Sequence, residues 1–244
     1  MRLERLPIES GAILYAPARI DHPSAADFDP ERLAAEGRVV GTALGRGSVW
    51  FVTGRAGAEM RHVLRHYRRG GLVVRLVADR YLWRGAEATR AFRELRLLAE
   101  LESRGLPAVR AVAARYVRTG LGYRADLLTV AIPGARSLAA RLRDGLAPGE
   151  WASVGRTIRA FHDAGVRHAD LNAHNVLFDA DGAVHLVDFD RGAIVTPGAW
   201  REANLARLRR SLVKLGAFAA DAASAPAWLA LRAGYDAPRT APPR

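Results

Sequence analysis

Cysteine is absent from the 244-residue chain, which excludes a disulfide framework, a cysteine-ligated zinc and a thiol nucleophile. Lysine is nearly absent: of 37 basic side chains only Lys214 is a lysine and the others are arginine, so chemistry that needs an ammonium has one candidate. No apolar run reaches the roughly 18 residues that a bilayer span requires. Met1 to Ile20 alternates charge with short apolar stretches and lacks the unbroken apolar core of a signal peptide, so a cytoplasmic location is expected. Acidic residues are also in the minority, 25 against 37 basic ones, for a formal charge of +12. That balance points to a polyanionic partner: nucleic acid, an acidic membrane surface or a phosphorylated substrate.

What is present suits a globular chain, half hydrophobic and a quarter charged, of one large domain or two small lobes. Short stretches rich in β-branched and aromatic residues predict strands at Val39 to Leu44, Ser48 to Gly54, Ala58 to Tyr67 and Leu72 to Val77, in an antiparallel meander. Phe92, Leu95 and Leu98 recur at helical spacing and predict a helix over Ala86 to Ser103, ended by Gly105 and Pro107. Two further strands are expected at Val109 to Val117 and Tyr123 to Ala131. Beyond Pro133-Gly134, Ser137 can cap a helix to Arg143, and Glu150 to Ala164 carries Trp151, Val154, Ile158 and Phe161 on one face. Strands at Val176 to Asp179 and Val184 to Asp188 and a helix from Trp200 to Phe218 complete the order, and Ala237 to Arg244 reads as a frayed tail. The expected fold class is α+β, with a β-rich lobe over residues 1–132, a mainly helical lobe over 133–244, and a ligand cleft where they join.

The chemistry-bearing text is His168-Ala169-Asp170-Leu171-Asn172-Ala173-His174-Asn175, followed by Val187-Asp188-Phe189-Asp190. Each polar cluster abuts an apolar run, and Asp188 ends a strand pattern thirteen positions after Asn175. Phosphoryl transfer asks for such a set: an Asp to orient the acceptor hydroxyl, and an Asn and a second Asp as hard oxygen ligands for magnesium on ATP phosphates. A single Asp or Asn is usually a turn former. The order H-x-D-x-x-x-x-N and then D-F between strand patterns is far more specific.

On these residues the chain resembles the protein-kinase-like superfamily, and within it the lipopolysaccharide kinase family. The matching segments are Gly45-Arg46-Gly47-Ser48-Val49-Trp50-Phe51, Leu64-Arg65-His66-Tyr67-Arg68-Arg69-Gly70-Gly71, Tyr81-Leu82-Trp83, Arg90-Ala91-Phe92-Arg93-Glu94, the Asp170 loop and Val187 to Arg191. The resemblance implies a two-lobed kinase fold that uses ATP and Mg²⁺. It implies Asp170 as the catalytic base with His168 bracing its loop, and Asn175 and Asp188 as magnesium ligands. Gly45, Gly47 and Ser48 would form the phosphate-facing turn, although the third glycine of G-x-G-x-x-G is missing and a lone G-x-G is also a plain hairpin signal. Glu94 would fix a phosphate-binding cation; outside this context it reads as a solvated helix face.

That cation departs from ordinary protein kinases, which use a lysine on the third strand. Lys214 lies beyond Asp188, so an arginine must serve, and Arg65 occupies the position, with Arg68 and Arg69 as alternatives. A guanidinium offers a two-pronged donor where an ammonium is a point charge. Asp190 replaces the glycine that follows D-F in protein kinases; it either adds a carboxylate near the metal or pairs with Arg191. No A-P-E motif follows, which leaves little room for a peptide platform and favours a small-molecule or sugar acceptor. The resemblance implies the 4-hydroxyl of 3-deoxy-D-manno-octulosonic acid (Kdo) on a lipid A precursor, reached by a peripheral enzyme at the cytoplasmic face of the bacterial inner membrane. Arg68, Arg69, Arg80, Arg84 and Arg191 are candidates to meet that anionic glycolipid or the anionic membrane surface. Trp228, Leu229 and Leu231 either pack on the second lobe or dip into the bilayer. Rival readings are a kinase of a core heptose or an aminoglycoside, and a pseudokinase or nucleic-acid-binding module; with no zinc finger or RNP segment, nucleic acid is the weaker partner.

Overall fold

The computed structural model describes residues 1–44, 48–54, 61–68, 80–219 and 225–238. It divides into two compact units, one of Met1–Arg104 with Val109–Ala131 and the other of Gly105–Ala108 with Ile132–Arg244.

In the first unit the described strands are β1 (Glu4–Ile8), β2 (Gly11–Tyr15), β3 (Val39–Leu44), β4 (Ser48–Thr53), β5 (Arg61–His66), β6 (Tyr81–Leu82), β7 (Ala111–Thr119) and β8 (Gly122–Val130). They form one antiparallel sheet in the order β1-β2-β7-β8-β5-β4-β3, with β6 also on β8. The strand expected over Leu72 to Val77 lies outside the described residues, as do the first residues of the one expected from Ala58. Sequence patterning missed β1 and β2, the 3-10 turn Ala25–Phe28 and the short helix α1 (Pro30–Ala35). None has a long apolar period: β2 is a five-residue apolar stretch, and α1 is started by a capping aspartate, Asp29, that accepts from the N–H groups of Glu31 and Arg32.

Helix α2 (Arg90–Ser103) covers one face of the sheet with Phe92, Leu95, Leu98 and Leu101, all fully buried. At ~1.5–3 kcal/mol for each such side chain removed from water, this stripe is the main attachment of the helix. The helix expected from Ala86 is instead a 3-10 turn at Ala86–Ala88 broken by extended Thr89 before α2 starts. On the opposite face Ile13, Phe28, Leu33, Val52, Leu64, Val112 and Leu128 form the core. Strand β5 therefore alternates between two environments. Leu64 and His66 point to the face of Phe28, where His66 Nδ1 lies 2.6 Å from Asp126 and Arg115 grips the same carboxylate at 2.7 and 2.8 Å. Arg65 points to the face of α2.

The second unit holds α3 (Leu138–Arg141), α4 (Pro148–Asp163), α5 (Trp200–Lys214) and α6 (Pro226–Asp236). It adds the sheet β12-β11-β9, of Val184–Leu186, Val176–Phe178 and Arg136–Ser137, and a pair β10-β13, of Val166–Arg167 and Ala193–Ile194. Ser137 caps α3 by accepting from the Ala140 N–H at 3.1 Å. Helices α4 and α6 cross where neither side has a side chain. A Cβ on Gly155 would stand 2.0 Å from the Leu231 carbonyl oxygen, and one on Gly234 2.0 Å from that of Ala152. Leu231 is fully buried in this crossing, Trp228 is half-buried and Leu229 is exposed. Among the described residues no helix is long and apolar enough to cross a membrane.

Candidate active site

In the first unit, the α2 face of β5 carries a buried charge pair. The Arg65 guanidinium donates to the Glu94 carboxylate, and the Tyr67 hydroxyl, two residues on and on the same face, donates to the same Oε2. Arg65 also donates to that hydroxyl at 3.1 Å. Glu94 is 3% exposed: the carboxylate that would read as a solvated helix face without the resemblance is a buried anion that accepts from Arg65 and Tyr67. Burial, and then the neighbouring charge of Glu94, hold the Tyr67 phenol well above its ordinary pKa, so it stays a donor. Gly45 and Gly47 lie outside the described residues; Ser48 opens β4 by its backbone.

In the second unit the text from His168 to Asn175 becomes a knot of local hydrogen bonds. Buried His168 accepts from the Asp170 N–H at Nδ1, 3.1 Å, and faces the Val187 carbonyl with Nε2 at 2.9 Å. Those partners require the neutral Nε2–H tautomer, and desolvation lowers the pKa in keeping with it. His168 thus ties the Asp170 loop to the strand leading into Asp188. Asn175 donates through Nδ2 to the Asp170 carbonyl at 2.9 Å, and its own carbonyl accepts from the Val187 N–H at 3.1 Å. Asp188 has φ +62°, a left-handed backbone that non-glycine residues seldom adopt. Phe189 is anchored beside it, its ring 5.5 Å from that of Phe161 and 4.9 Å from that of His168. The bends that bring these residues together are held by hydrogen bonds across them.

Helix α5 meets this loop along one stripe. Asn204 and His168 exchange two hydrogen bonds, Asn204 Oδ1 accepting from the His168 N–H at 3.2 Å and Nδ2 donating to its carbonyl at 3.0 Å. One turn later Arg207 donates to Asp170 Oδ1 at 2.6 Å, and a turn beyond that Ser211 Oγ accepts from the Ala173 N–H at 3.2 Å. Sequence reasoning assigned roles to none of Tyr67, Asn204, Arg207 and Ser211. Their signal was there for α5, where positions 204, 207 and 211 interrupt an otherwise apolar period of Leu205, Leu208 and Leu212. A cavity of about 620 Å³ opens beside the loop, walled by Ala139, Leu142, Trp151 and Leu215, with Ser137, Arg143 and His174 among its polar lining.

An antiparallel β unit with a buried Arg–Glu pair, and a second unit with an H-x-D-x-x-x-x-N loop locked to a D-F bend, define a protein-kinase-like phosphotransferase. The chain belongs to the Lipopolysaccharide kinase (Kdo/WaaP) family, whose model matches residues 30–235. It is similar to the 3-deoxy-D-manno-octulosonic acid kinase of Stenotrophomonas maltophilia (strain R551-3), 50% identical over 206 residues that cover 84% of this chain and 81% of the relative. Enzymes of that name from Xanthomonas campestris pv. campestris (strain B100) and Xanthomonas axonopodis pv. citri (strain 306) are 50% and 48% identical with the same coverage.

Proposed function

We propose that the chain transfers the γ-phosphoryl group of ATP to the 4-hydroxyl of a Kdo residue on a lipid A precursor. The observation that carries this reading is the half-exposed Asp170 carboxylate at the head of a loop fixed by His168, Asn175 and Asn204, in a chain half identical to Kdo kinases. Asp170 accepts the proton of the acceptor hydroxyl as its oxygen bonds to the γ-phosphorus. The bond from that phosphorus to the β–γ bridging oxygen breaks, and ADP leaves with the electron pair. Arg65, oriented by Glu94 and Tyr67, binds phosphate oxygens of the nucleotide.

Asn175 and Asp188 fit a magnesium ion. The Nδ2 bond to Asp170 leaves Oδ1 as the ligand atom of Asn175, and Asp188 adds a carboxylate, both hard oxygen donors. When bound, magnesium neutralises charge on the phosphates during transfer.

The acceptor is amphipathic and anionic. The apolar walls of the cavity beside His174 suit its lipid part, and a chain of net charge +12 suits the anionic cytoplasmic leaflet, where each basic residue near the surface adds about 1 kcal/mol of attraction. The test is incubation with Mg²⁺, ATP and Kdo-capped lipid A precursor, beside heptose-bearing and aminoglycoside acceptors, with mass spectrometry for a gain of one phosphate. A gain on the Kdo acceptor is expected; phosphorylation of only the other acceptors overturns the reading.

A further inference from the structure

Arg207 stands out among the exposed arginines because its place is built. It sits on α5 between Asn204, which holds the His168 backbone at both polar groups, and Ser211, which holds Ala173. These two anchors set the helix register against the loop, so the guanidinium reaches Asp170 Oδ1 at 2.6 Å without depending on a flexible surface segment. Both partners are about half exposed. Ion pairs of that exposure contribute little to stability, so fold maintenance does not account for the contact.

The substrate chemistry does account for it. Kdo is a sugar acid, and an acid presented to a catalytic carboxylate meets a like charge. A cation between the two removes that repulsion and gives the incoming group a partner. The guanidinium has five N–H donors in a planar fork; one of them engages Oδ1 of Asp170, and the fork can receive a planar carboxylate in two parallel bonds.

We infer that Arg207 is the receptor for the carboxylate of the acceptor sugar and thereby selects acidic sugars over neutral ones; this rests on the reading of the chain as a Kdo kinase. Arg207 touches both the acid and the residue that takes the hydroxyl proton. Capturing the carboxylate therefore aligns the neighbouring hydroxyl with Asp170 in the same event. Neutral heptose would leave the fork without its partner, the side of recognition on which rejection is strongest.

The test compares Kdo-capped acceptor with the same acceptor carrying a carboxamide in place of the carboxylate. The unaltered protein should prefer the acid by ~10- to 100-fold in kcat/KM, the range of one charged hydrogen-bonding contact. Arg207→Gln should bring the acid-to-amide ratio close to one, with the loss on the acid seen in its KM while the KM for ATP holds. Arg207→Lys, which keeps the charge and loses the fork, should give an intermediate ratio. Equal use of acid and amide by the unaltered protein overturns the inference while leaving the Kdo kinase reading intact, and it needs no variant to fold. So does an Arg207→Gln protein that loses both activities by one common factor, which would make Arg207 only a support for Asp170. No transfer to either Kdo acceptor by the unaltered protein overturns the underlying reading, and the inference with it.

Discussion

The guanidinium carbon of Arg65 lies 4.7 Å from the centroid of the Tyr67 ring, two residues along the same strand face. A flat cation therefore rests on an aromatic side chain whose hydroxyl is itself tied to Glu94, so three groups hold one orientation. Tyr67→Phe keeps the ring and removes only the hydroxyl, leaving Glu94 buried with one donor fewer. We expect the KM for ATP to rise by ~10- to 100-fold, the range of a hydrogen bond to a charged group, with the KM for the acceptor little moved. Arg65→Lys should do more damage, because an ammonium cannot serve Glu94 and phosphate as a fork does. An Arg65→Lys protein with unaltered ATP kinetics would remove Arg65 from the nucleotide site.

Asp170→Ala should abolish transfer while ATP binding, measured by calorimetry, persists. The loop that carries Asp170 is held by its backbone, through the Asp170 N–H to His168 and the Asp170 carbonyl to Asn175, and neither bond needs the carboxylate. Product formation at the rate of the unaltered protein would contradict the assignment of the base.

The crossing of α4 and α6 predicts opposite effects for alanine at two glycines of one helix. Gly155→Ala drives a methyl into the Leu231 carbonyl and should cost ~1–3 kcal/mol or more. At Gly149 a Cβ meets nothing within 4 Å, and alanine there should stabilise by up to about 1 kcal/mol through helix propensity. Denaturant midpoints check both; a Gly155→Ala protein as stable as Gly149→Ala would mean the helices do not cross so closely.

Acid should weaken the fold before it protonates the carboxylates. His162 is buried, its Nδ1 2.9 Å from the Tyr235 hydroxyl, and desolvation pushes its pKa from 6.5 down to about 4. The unfolded chain takes up that proton near 6.5 and the folded chain does so only near 4. Stability is therefore complete above about 6.5 and falls as the pH drops toward 4, by roughly 3 kcal/mol from this residue. His62 and His168, also lowered by burial, act in the same direction. Denaturant unfolding at about pH 7.5 and pH 5 reads the loss, which His162→Gln should reduce. Equal midpoints at the two pH values would refute it.

The loop from His168 to Asn175 and the D-F pair were legible because this chemistry needs particular side chains at fixed spacing, and spacing survives in one dimension. Most strands and helices were legible because each buries one face. Arg65 and Glu94 could be paired only through the resemblance, since 29 positions separate two residues that the sheet and α2 bring into contact. Tyr67 stood in the quoted motif without a role, because an aromatic residue after a strand reads as core until its hydroxyl is seen between two charges. The α5 stripe was overlooked for a similar reason. Asn204, Arg207 and Ser211 look like the solvent side of an amphipathic helix, and only the loop packed against them shows that this side is occupied. The amino-terminal hairpin was missed because Glu4–Ile8 lacks an apolar alternation strong enough to mark it.

Strand β5 hands consecutive side chains to opposite faces, Arg65 to Glu94 and His66 to Asp126. The division makes this short segment intolerant of length change. Inserting or deleting a single residue before Arg65 would deliver an imidazole or an aliphatic side chain to Glu94 and a guanidinium to the opposite core. The sheet could still form all its backbone bonds, and Glu94 would lose its guanidinium partner. Strand length before Arg65 is thus constrained by two pairings at once, one on each face of the sheet.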